Sequence, residues 1–228
     1  MTMLLSRRHA LITGLAAGLA VPGLSLAQTT EADSASEGSA GASSGAPART
    51  VQEMTMGDPD APITMIEYAM FTCPHCADFV TDVFPRIKEN YIDTGKVRLI
   101  FREVYFNAPS LWAALIARCA PADRYFGISD LLFETQAGWL NSTDGPTIMK
   151  NLYGIGRQAG LTDAEMDACR EDTAFAEALV AEYQKYQAEH RIDATPMFVI
   201  NGERLENAPY EMFQQKFDAI LAGTQGAN

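Results

Sequence analysis

The sequence predicts an α/β fold in which an all-helical domain is inserted between strands. Apolar runs rich in β-branched residues, which are typical of strands, lie at 63–71 and 96–104 and return at 195–200. The long segment between the last two of these runs has helical periodicity instead. The order is therefore strand, helix, strand, helical block, hairpin and helix.

The first strands flank a helix that opens at a cysteine pair. Residues 51–56 alternate weakly and predict a first strand, whereas the apolar run 63–71 is typical of a central strand buried on both faces. Glu67 is the one acidic residue in that run. Pro85 should kink or restart the following helix, and residues 96–104 form the next predicted strand. The apolar positions that recur every four residues in this helix are Phe79, Val83, Ile87 and Tyr91.

Several helical patterns then follow one another. Ser110 is the predicted N-cap of a helix over 111–120. Thr162–Glu165 is a capping box that opens a short helix containing Cys169. Further helices are predicted over 121–140, 146–160 and 173–190.

Strand character returns near the C-terminus. Residues 195–200, the turn Asn201–Gly202 and residues 203–206 predict a β-hairpin. Phe213, Phe217, Ile220 and Leu221 mark a closing helix.

The N-terminal residues predict export. Residues 1–27 combine Arg7 and Arg8, a short apolar stretch and small residues suited to cleavage after Ala27, so we interpret them as a signal peptide. A retained membrane helix is the alternative, but the apolar run is shorter than a bilayer requires. The sequence around Arg7 and Arg8 also resembles a twin-arginine signal. The polar residues 28–50 predict a flexible linker, with an oligomerisation stalk as the alternative.

The order of elements and three motifs resemble the DsbA-like thiol–disulfide oxidoreductases of the bacterial envelope. The motifs are Glu67, Cys-Pro-His-Cys at 73–76 and Thr-Pro-Met-Phe-Val-Ile-Asn-Gly from Thr195. The resemblance implies a thioredoxin fold with an inserted helical domain. It places the thioredoxin-like domain at 51–107 and 193–228, and the inserted domain at 108–192.

Cys73 and Cys76 allow three interpretations. A structural zinc site needs four ligands, and only His75 is close. A purely structural disulfide at this spacing closes too small a loop to restrict the unfolded chain much. A reactive redox pair is the interpretation we favour, since an exported chain meets an oxidising compartment.

The position of the pair supports its reactivity. Cys73 is predicted at a helix N-terminus, where unpaired N–H groups and the helix dipole stabilise a thiolate. Pro74 removes an N–H without a helical partner, and His75 can add a hydrogen bond or a positive charge near the Cys73 sulfur. We therefore expect Cys73 to be the nucleophile and Cys76 the shielded resolving thiol.

The resemblance assigns a second part of the site to Pro196. The matching proline in thioredoxin-like proteins is cis and lies against the cysteine pair, which here would expose the Thr195 backbone to an extended substrate. The alternative is an ordinary proline at a strand start. Oxidases of the family often have Val before this proline and isomerases often have Thr, so Thr195 leaves the direction of the reaction open.

Glu67 matches a buried acidic residue of the family. A carboxylate inside an apolar strand should have a raised pKa unless it is paired, and its functional interpretation is a proton relay for Cys76. The alternative is an outward-facing or ion-paired side chain, with Arg102 on the next strand as the candidate partner.

Cys119 and Cys169 both fall in the helical block. Our hypothesis is a second, structural disulfide, as some alphaproteobacterial relatives have. The alternative is two buried free thiols.

Together these observations predict a periplasmic dithiol oxidase that introduces disulfides into exported proteins. The alternatives are an isomerase or reductase on the same fold, or a non-catalytic peptide-binding protein. The resemblance implies reduced exported proteins as substrates and a membrane quinone-linked reoxidant as partner. We expect a monomer without cofactor or metal. The formal net charge of −12 argues against nucleic acid, which needs a basic face.

Overall fold

A computed structural model of the chain describes residues 49–225. The predicted signal peptide, residues 1–27, lies outside the described residues, as do most of the predicted linker at 28–50 and residues 226–228. Within the described part, no helix has the length and apolar character needed to cross a membrane.

The described residues form one five-stranded sheet with the strand order β1-β3-β2-β4-β5. β2 is central: it pairs parallel with β3 and antiparallel with β4. None of its residues is exposed, as the apolar run predicted. The strands are β1 Met54–Met56, β2 Ile63–Ala69, β3 Val97–Glu103, β4 Met197–Ile200 and β5 Glu203–Glu206.

A helical run follows β2 and changes type along its length. It consists of α1 Pro74–Asp78, a π-helical segment Phe79–Val83, α2 Phe84–Ile87 and a second π-helical segment Lys88–Ile92. Pro85 lies in the first turn of α2, directly after the first π-helical segment. The helical run thus changes type beside Pro85, in line with the prediction that the proline kinks or restarts the helix.

The segment between β3 and β4 is helical, which confirms the insertion. The predicted capping box is present, because Glu165 N–H donates to the Thr162 side chain and the Glu165 carboxylate accepts from Thr162 N–H. The helices of the insertion are α3 Ala108–Ala117, α4 Tyr125–Glu134, α5 Gln136–Trp139, α6 Gly145–Gln158, α7 Asp163–Glu171 and α8 Thr173–His190.

The predicted cap of α3 at Ser110 is wrong. The N-cap is Asn107, which has an extended backbone and whose Oδ1 accepts the Ser110 N–H at 3.0 Å. Ser110 is thus inside the first helical turn. Pro109, also in that turn, is compatible with the helix start because its N–H would have had no partner.

The C-terminal hairpin and helix form as predicted. Asn201 and Gly202 both have positive φ, 46° and 87°, as a tight hairpin turn between twisted strands requires. The closing helix is α9 Tyr210–Gln225. The Phe198 ring lies 4.6 Å from Phe79 and 4.9 Å from Phe213, centroid to centroid. These rings pack the helical run after β2 and α9 against β4, and so fix the end of β2 that carries the cysteine pair.

A buried ion pair joins the sheet to the insertion. Arg118, just after α3, donates from Nε and Nη2 to both carboxylate oxygens of Glu103 at 2.6 and 2.7 Å. The Tyr125 hydroxyl donates to the same carboxylate at 2.7 Å. Because such a bidentate pair has a fixed geometry, it orients the insertion relative to β3.

A disulfide links two helical parts of the insertion. Cys119, just after α3, is bonded to Cys169 in α7, with an S–S distance of 1.93 Å and a Cα–Cα distance of 5.8 Å. Cys73 and Cys76 are free thiols in the same structure.

We expect peptide mapping of the native protein without reductant to recover Cys119 and Cys169 in one linked species. The bond spans 50 residues and so restricts the unfolded chain. The double variant Cys119→Ala/Cys169→Ala should therefore lose about 2–5 kcal/mol of unfolding free energy. The control is Cys73→Ala/Cys76→Ala, which removes the other pair. Recovery of Cys119 and Cys169 as free thiols from native protein would contradict the bond.

Candidate active site

The cysteine pair lies where the central strand runs into a helix. β2 ends at Ala69, and the Cys73 N–H donates to the Met70 carbonyl at 2.9 Å, which closes a turn. Cys73 is the N-cap of α1, with φ −90° and ψ 119°, and Pro74 lies in the first turn. We therefore find the cysteine at the end of the helix where free N–H groups lie.

The Cys73 sulfur is surrounded by hydrogen-bond donors. The thiol of Cys76 contributes most, and together these donors lower the pKa of Cys73 to about 5 against the opposing effect of burial. The Thr195 side chain and the backbone N–H groups of Cys76 and His75 add to the lowering. At neutral pH, Cys73 is therefore a thiolate.

Cys76 has the opposite electrostatic environment. It is fully buried, and burial raises its pKa well above the usual range, with further raising by the Cys73 thiol and by the charge of Glu67. The Met70 N–H donates to the Cys76 sulfur at 3.5 Å and acts in the other direction. The pair is thus asymmetric, with one ionised and one protonated sulfur.

His75 contributes through its backbone. Its N–H supports the Cys73 sulfur, while its imidazole is largely exposed, with Nδ1 3.8 Å from a carboxylate oxygen of Asp78. The predicted hydrogen bond from His75 to the Cys73 sulfur is therefore made by the backbone, while the imidazole lies near Asp78, one helical turn further on.

Thr195 lies beside Cys73, and the proline that follows it has the cis bond that the resemblance implied. The Thr195–Pro196 peptide bond is cis, and the Cys73 thiol can donate to the Thr195 carbonyl oxygen at 3.3 Å. β4 begins directly after this bond, at Met197. The backbone before β4 is therefore within reach of a chain bound at Cys73.

Glu67 is buried in the central strand, with 1% of its surface exposed. Its Oε1 has no hydrogen-bond partner. Burial, and secondly the negative charge of Asp130, raise its pKa to about 8. The carboxyl group lines a very small cavity of about 10 Å³, with Ser129, Asp130 and apolar side chains forming the rest of the wall.

Arg102 is not the partner of Glu67. Its guanidinium bonds to Glu53 and donates to the Tyr68 hydroxyl at 2.8 Å. In the parallel register, Arg102 is opposite Tyr68, whereas Glu67 is opposite Phe101. Because successive residues of a strand point to opposite faces of the sheet, Arg102 and Glu67 lie on different sides.

Two residues of the site could not be found from the sequence. Gln136 of α5 donates from Nε2 to the carbonyl oxygens of Phe71 and Cys73, both at 2.9 Å. Asp130 of α4 lines the cavity beside Glu67. Both come from the insertion, far along the chain from the cysteine pair, and neither belongs to a sequence motif.

The fold and this arrangement define a dithiol protein of the thioredoxin type. A family model described as "Thioredoxin" matches residues 49–219. A Rickettsia bellii protein, named provisionally as a protein-disulfide oxidoreductase, is 31% identical over 170 residues, covering 74% of this chain and 64% of that protein. The chain spans between 60% and 64% of the length of the Rickettsia relatives.

Solved structures of DsbA-like proteins have the same fold as this chain. The crystal structure of Wolbachia pipientis alpha-DsbA1 superposes with a TM-score of 0.70 at 29% identity, covering 75% of this chain and 92% of that one. Oxidised BdbD from Bacillus subtilis superposes with a TM-score of 0.66 at 25% identity, covering 75% and 93%. The chain therefore belongs to the thioredoxin family, and its fold is that of the DsbA-like proteins in it.

We expect Glu67→Gln to stabilise the protein in a pH-dependent way. The pKa of Glu67 rises from 4.5 to about 8 on folding, so its contribution to stability is full below pH 4.5 and is lost as the pH rises to about 8. The variant should therefore unfold with a free energy higher by on the order of a few kcal/mol near pH 9, and little changed near pH 4.

Urea unfolding across this pH range measures the effect. Glu206→Gln on the exposed strand β5 is the control and should leave the profile unchanged. An equal stability difference at both ends of the range would indicate altered packing and would overturn the interpretation of Glu67 as a buried, protonated acid.

Proposed function

We propose that this protein is a dithiol oxidase that transfers its Cys73–Cys76 disulfide to other proteins. The observation that carries the proposal is the asymmetry of the pair. Cys73 has a pKa of about 5, so the reduced enzyme is stabilised as a thiolate. A stabilised reduced form makes the disulfide form a stronger oxidant.

Two exchange steps complete the transfer. A substrate thiolate attacks the Cys73 sulfur, the Cys73–Cys76 bond breaks, and the Cys76 sulfur leaves with the electron pair and takes up a proton. A second substrate thiolate then attacks the substrate sulfur of the mixed disulfide. Cys73 leaves as a thiolate, so two substrate thiols are oxidised and one enzyme disulfide is reduced. A low pKa makes Cys73 a good leaving group in this second step.

Glu67 is suited to the proton transfer at Cys76. Cys76 is buried and strongly favours its protonated form. The Glu67 carboxyl group lies close enough for its charge to affect the pKa of Cys76, and with its own pKa of about 8 it holds a proton near neutral pH. We assign Glu67 the role of supplying this proton when Cys76 leaves, after which Glu67 takes up a proton from solvent and is again protonated in the reduced enzyme. On reoxidation the two steps run in reverse.

Thr195 and Pro196 provide the docking edge in this proposal. The Thr195 carbonyl oxygen is 3.3 Å from the Cys73 sulfur. A substrate segment bonded to Cys73 would therefore run beside the backbone that precedes β4, where main-chain hydrogen bonds can hold an extended peptide regardless of its sequence.

The proposed setting is the periplasm. The predicted signal peptide at 1–27 supports export, and the oxidising compartment suits both disulfides. The proposed substrates are reduced exported proteins, and the proposed reoxidant is a membrane quinone-linked protein, as the DsbA-like family implies. The proposed active unit is a monomer.

An isomerase or reductase is the second candidate, and Thr195 is the observation that favours it. Thr at this position is the residue that isomerases of the family often have. The reduction potential separates the candidates, because an oxidase must lose its disulfide readily while a reductase must hold it.

We expect the full chain to equilibrate with glutathione at a potential towards about −120 mV, and to oxidise a reduced dithiol peptide stoichiometrically. Cys73→Ala should abolish the transfer. Cys76→Ala is first treated with oxidised glutathione, so that Cys73 carries a glutathione mixed disulfide, and is then mixed with a single-thiol form of the peptide. The peptide thiolate should displace glutathione, and the Cys73–peptide mixed disulfide should accumulate because the Cys76 thiol that would resolve it is missing.

A potential near about −270 mV, the value of a reducing thioredoxin, would overturn the oxidase. Failure of Cys76→Ala to form any mixed disulfide with the peptide would contradict Cys73 as the attacked sulfur.

A further inference from the structure

Gln136 connects the helical insertion to the turn that carries the cysteine pair. The side chain is buried, with 8% of the residue exposed. Its Nε2 donates to the carbonyl oxygens of Phe71 and Cys73, each at 2.9 Å. The two N–H bonds of one amide thus hold two carbonyl groups on either side of Thr72.

The element that carries Gln136 is itself fixed. α5 is a single turn that follows α4 directly, and its last residue, Trp139, is almost fully buried. The indole N–H of Trp139 donates to the Leu132 carbonyl oxygen at 2.8 Å. The Gln136 amide is therefore presented from a rigid support, as a positioning group requires.

The carbonyl groups of Phe71 and Cys73 belong to the turn that determines the backbone conformation at Cys73. The Cys73 carbonyl oxygen also accepts the N–H groups of Cys76 at 3.1 Å and Ala77 at 3.2 Å, which begin α1. The Phe71 carbonyl oxygen lies at the other end of the turn. A shift of either group changes the backbone dihedral angles next to Cys73, and with them the direction of its sulfur.

We propose that Gln136 is a positioning residue for the exchange reaction, holding the Phe71–Cys73 turn so that the Cys73 sulfur stays at the N-terminus of α1 and beside Thr195. This inference rests on the proposed function and deepens it, because it makes the reactivity of Cys73 depend on the inserted domain. Gln136 touches neither the substrate nor the reacting sulfur, and acts through the backbone.

A purely structural tie is the competing explanation, and the chain offers a matched control for it. Asn151 in α6 is also an amide of the insertion, and its Nδ2 donates to the Trp139 carbonyl oxygen at 3.4 Å. Loss of this bond loosens α5 without removing a bond to the turn. Apolar packing between insertion and turn remains in either variant, since the Phe71 and Phe133 rings lie 5.0 Å apart.

The test titrates the thiolate of reduced, full-length protein by its ultraviolet absorbance in wild type, Gln136→Leu and Asn151→Leu. In Gln136→Leu the midpoint of Cys73 should rise by about one pH unit. The equilibrium constant with glutathione should then shift about tenfold towards the enzyme disulfide, which is about 30 mV. In Asn151→Leu both values should stay at wild type, although thermal stability falls.

Gln136→Met provides a second variant of similar volume, which is used if Gln136→Leu does not fold. A folded Leu or Met variant with the wild-type midpoint and equilibrium constant would overturn the positioning role. Equal shifts in Asn151→Leu would also overturn it. The titration needs no substrate, so it decides the role of Gln136 even if the wild-type protein fails to oxidise the dithiol peptide.

Discussion

The stabilised negative charge on the Cys73 sulfur is the interaction on which the rest of the site depends. Burial alone would disfavour this charge, yet the Cys76 thiol, the Thr195 side chain and two backbone N–H groups outweigh burial and bring the pKa to about 5. Each donor comes from a feature of the fold. The N–H groups belong to the start of α1, which follows β2, and Thr195 precedes β4, which pairs with β2. The thioredoxin fold thus collects donors at one sulfur from segments that are far apart in the chain.

Burial raises the pKa of the neighbouring groups, Cys76 and Glu67, because they lack enough hydrogen-bond donors to offset it. Cys76 is buried with a single backbone N–H at 3.5 Å, so its protonated form is favoured. The Oε1 of Glu67 has no hydrogen-bond partner, and Asp130 adds a like charge, so its proton is also held. The site therefore contains an ionised sulfur next to a protonated sulfur and a protonated carboxyl group. A leaving group and a proton donor are both required in the proposed exchange, and this arrangement supplies them together.

The local parts of this structure could be predicted from the sequence, and the long-range parts could not. The buried run of β2, the restart at Pro85, the capping box at Thr162 and the Asn201–Gly202 hairpin depend on neighbouring residues, and each formed as predicted. The misplaced cap at Ser110 was also a local matter, since Asn107 is an equally good capping residue three positions earlier. Arg102 was a candidate partner for Glu67 because it lies on the next strand, but the parallel register puts the two side chains on opposite faces of the sheet. No sequence pattern indicated Gln136, because its hydrogen bonds depend only on the way α5 packs against the turn at Phe71–Cys73.

The acidity of Cys73 tests this account most directly. Reduced, full-length wild-type protein has four cysteines, of which Cys119 and Cys169 are bonded and do not titrate. Under a reductant that spares this bond, thiolate absorbance followed from acid to alkaline pH should show one thiol ionising with a midpoint of about 5, and this transition should be absent in Cys73→Ala. A Cys73 midpoint near the ordinary thiol value of about 8.5 would contradict the account, because the surrounding hydrogen-bond donors would then not stabilise the Cys73 thiolate.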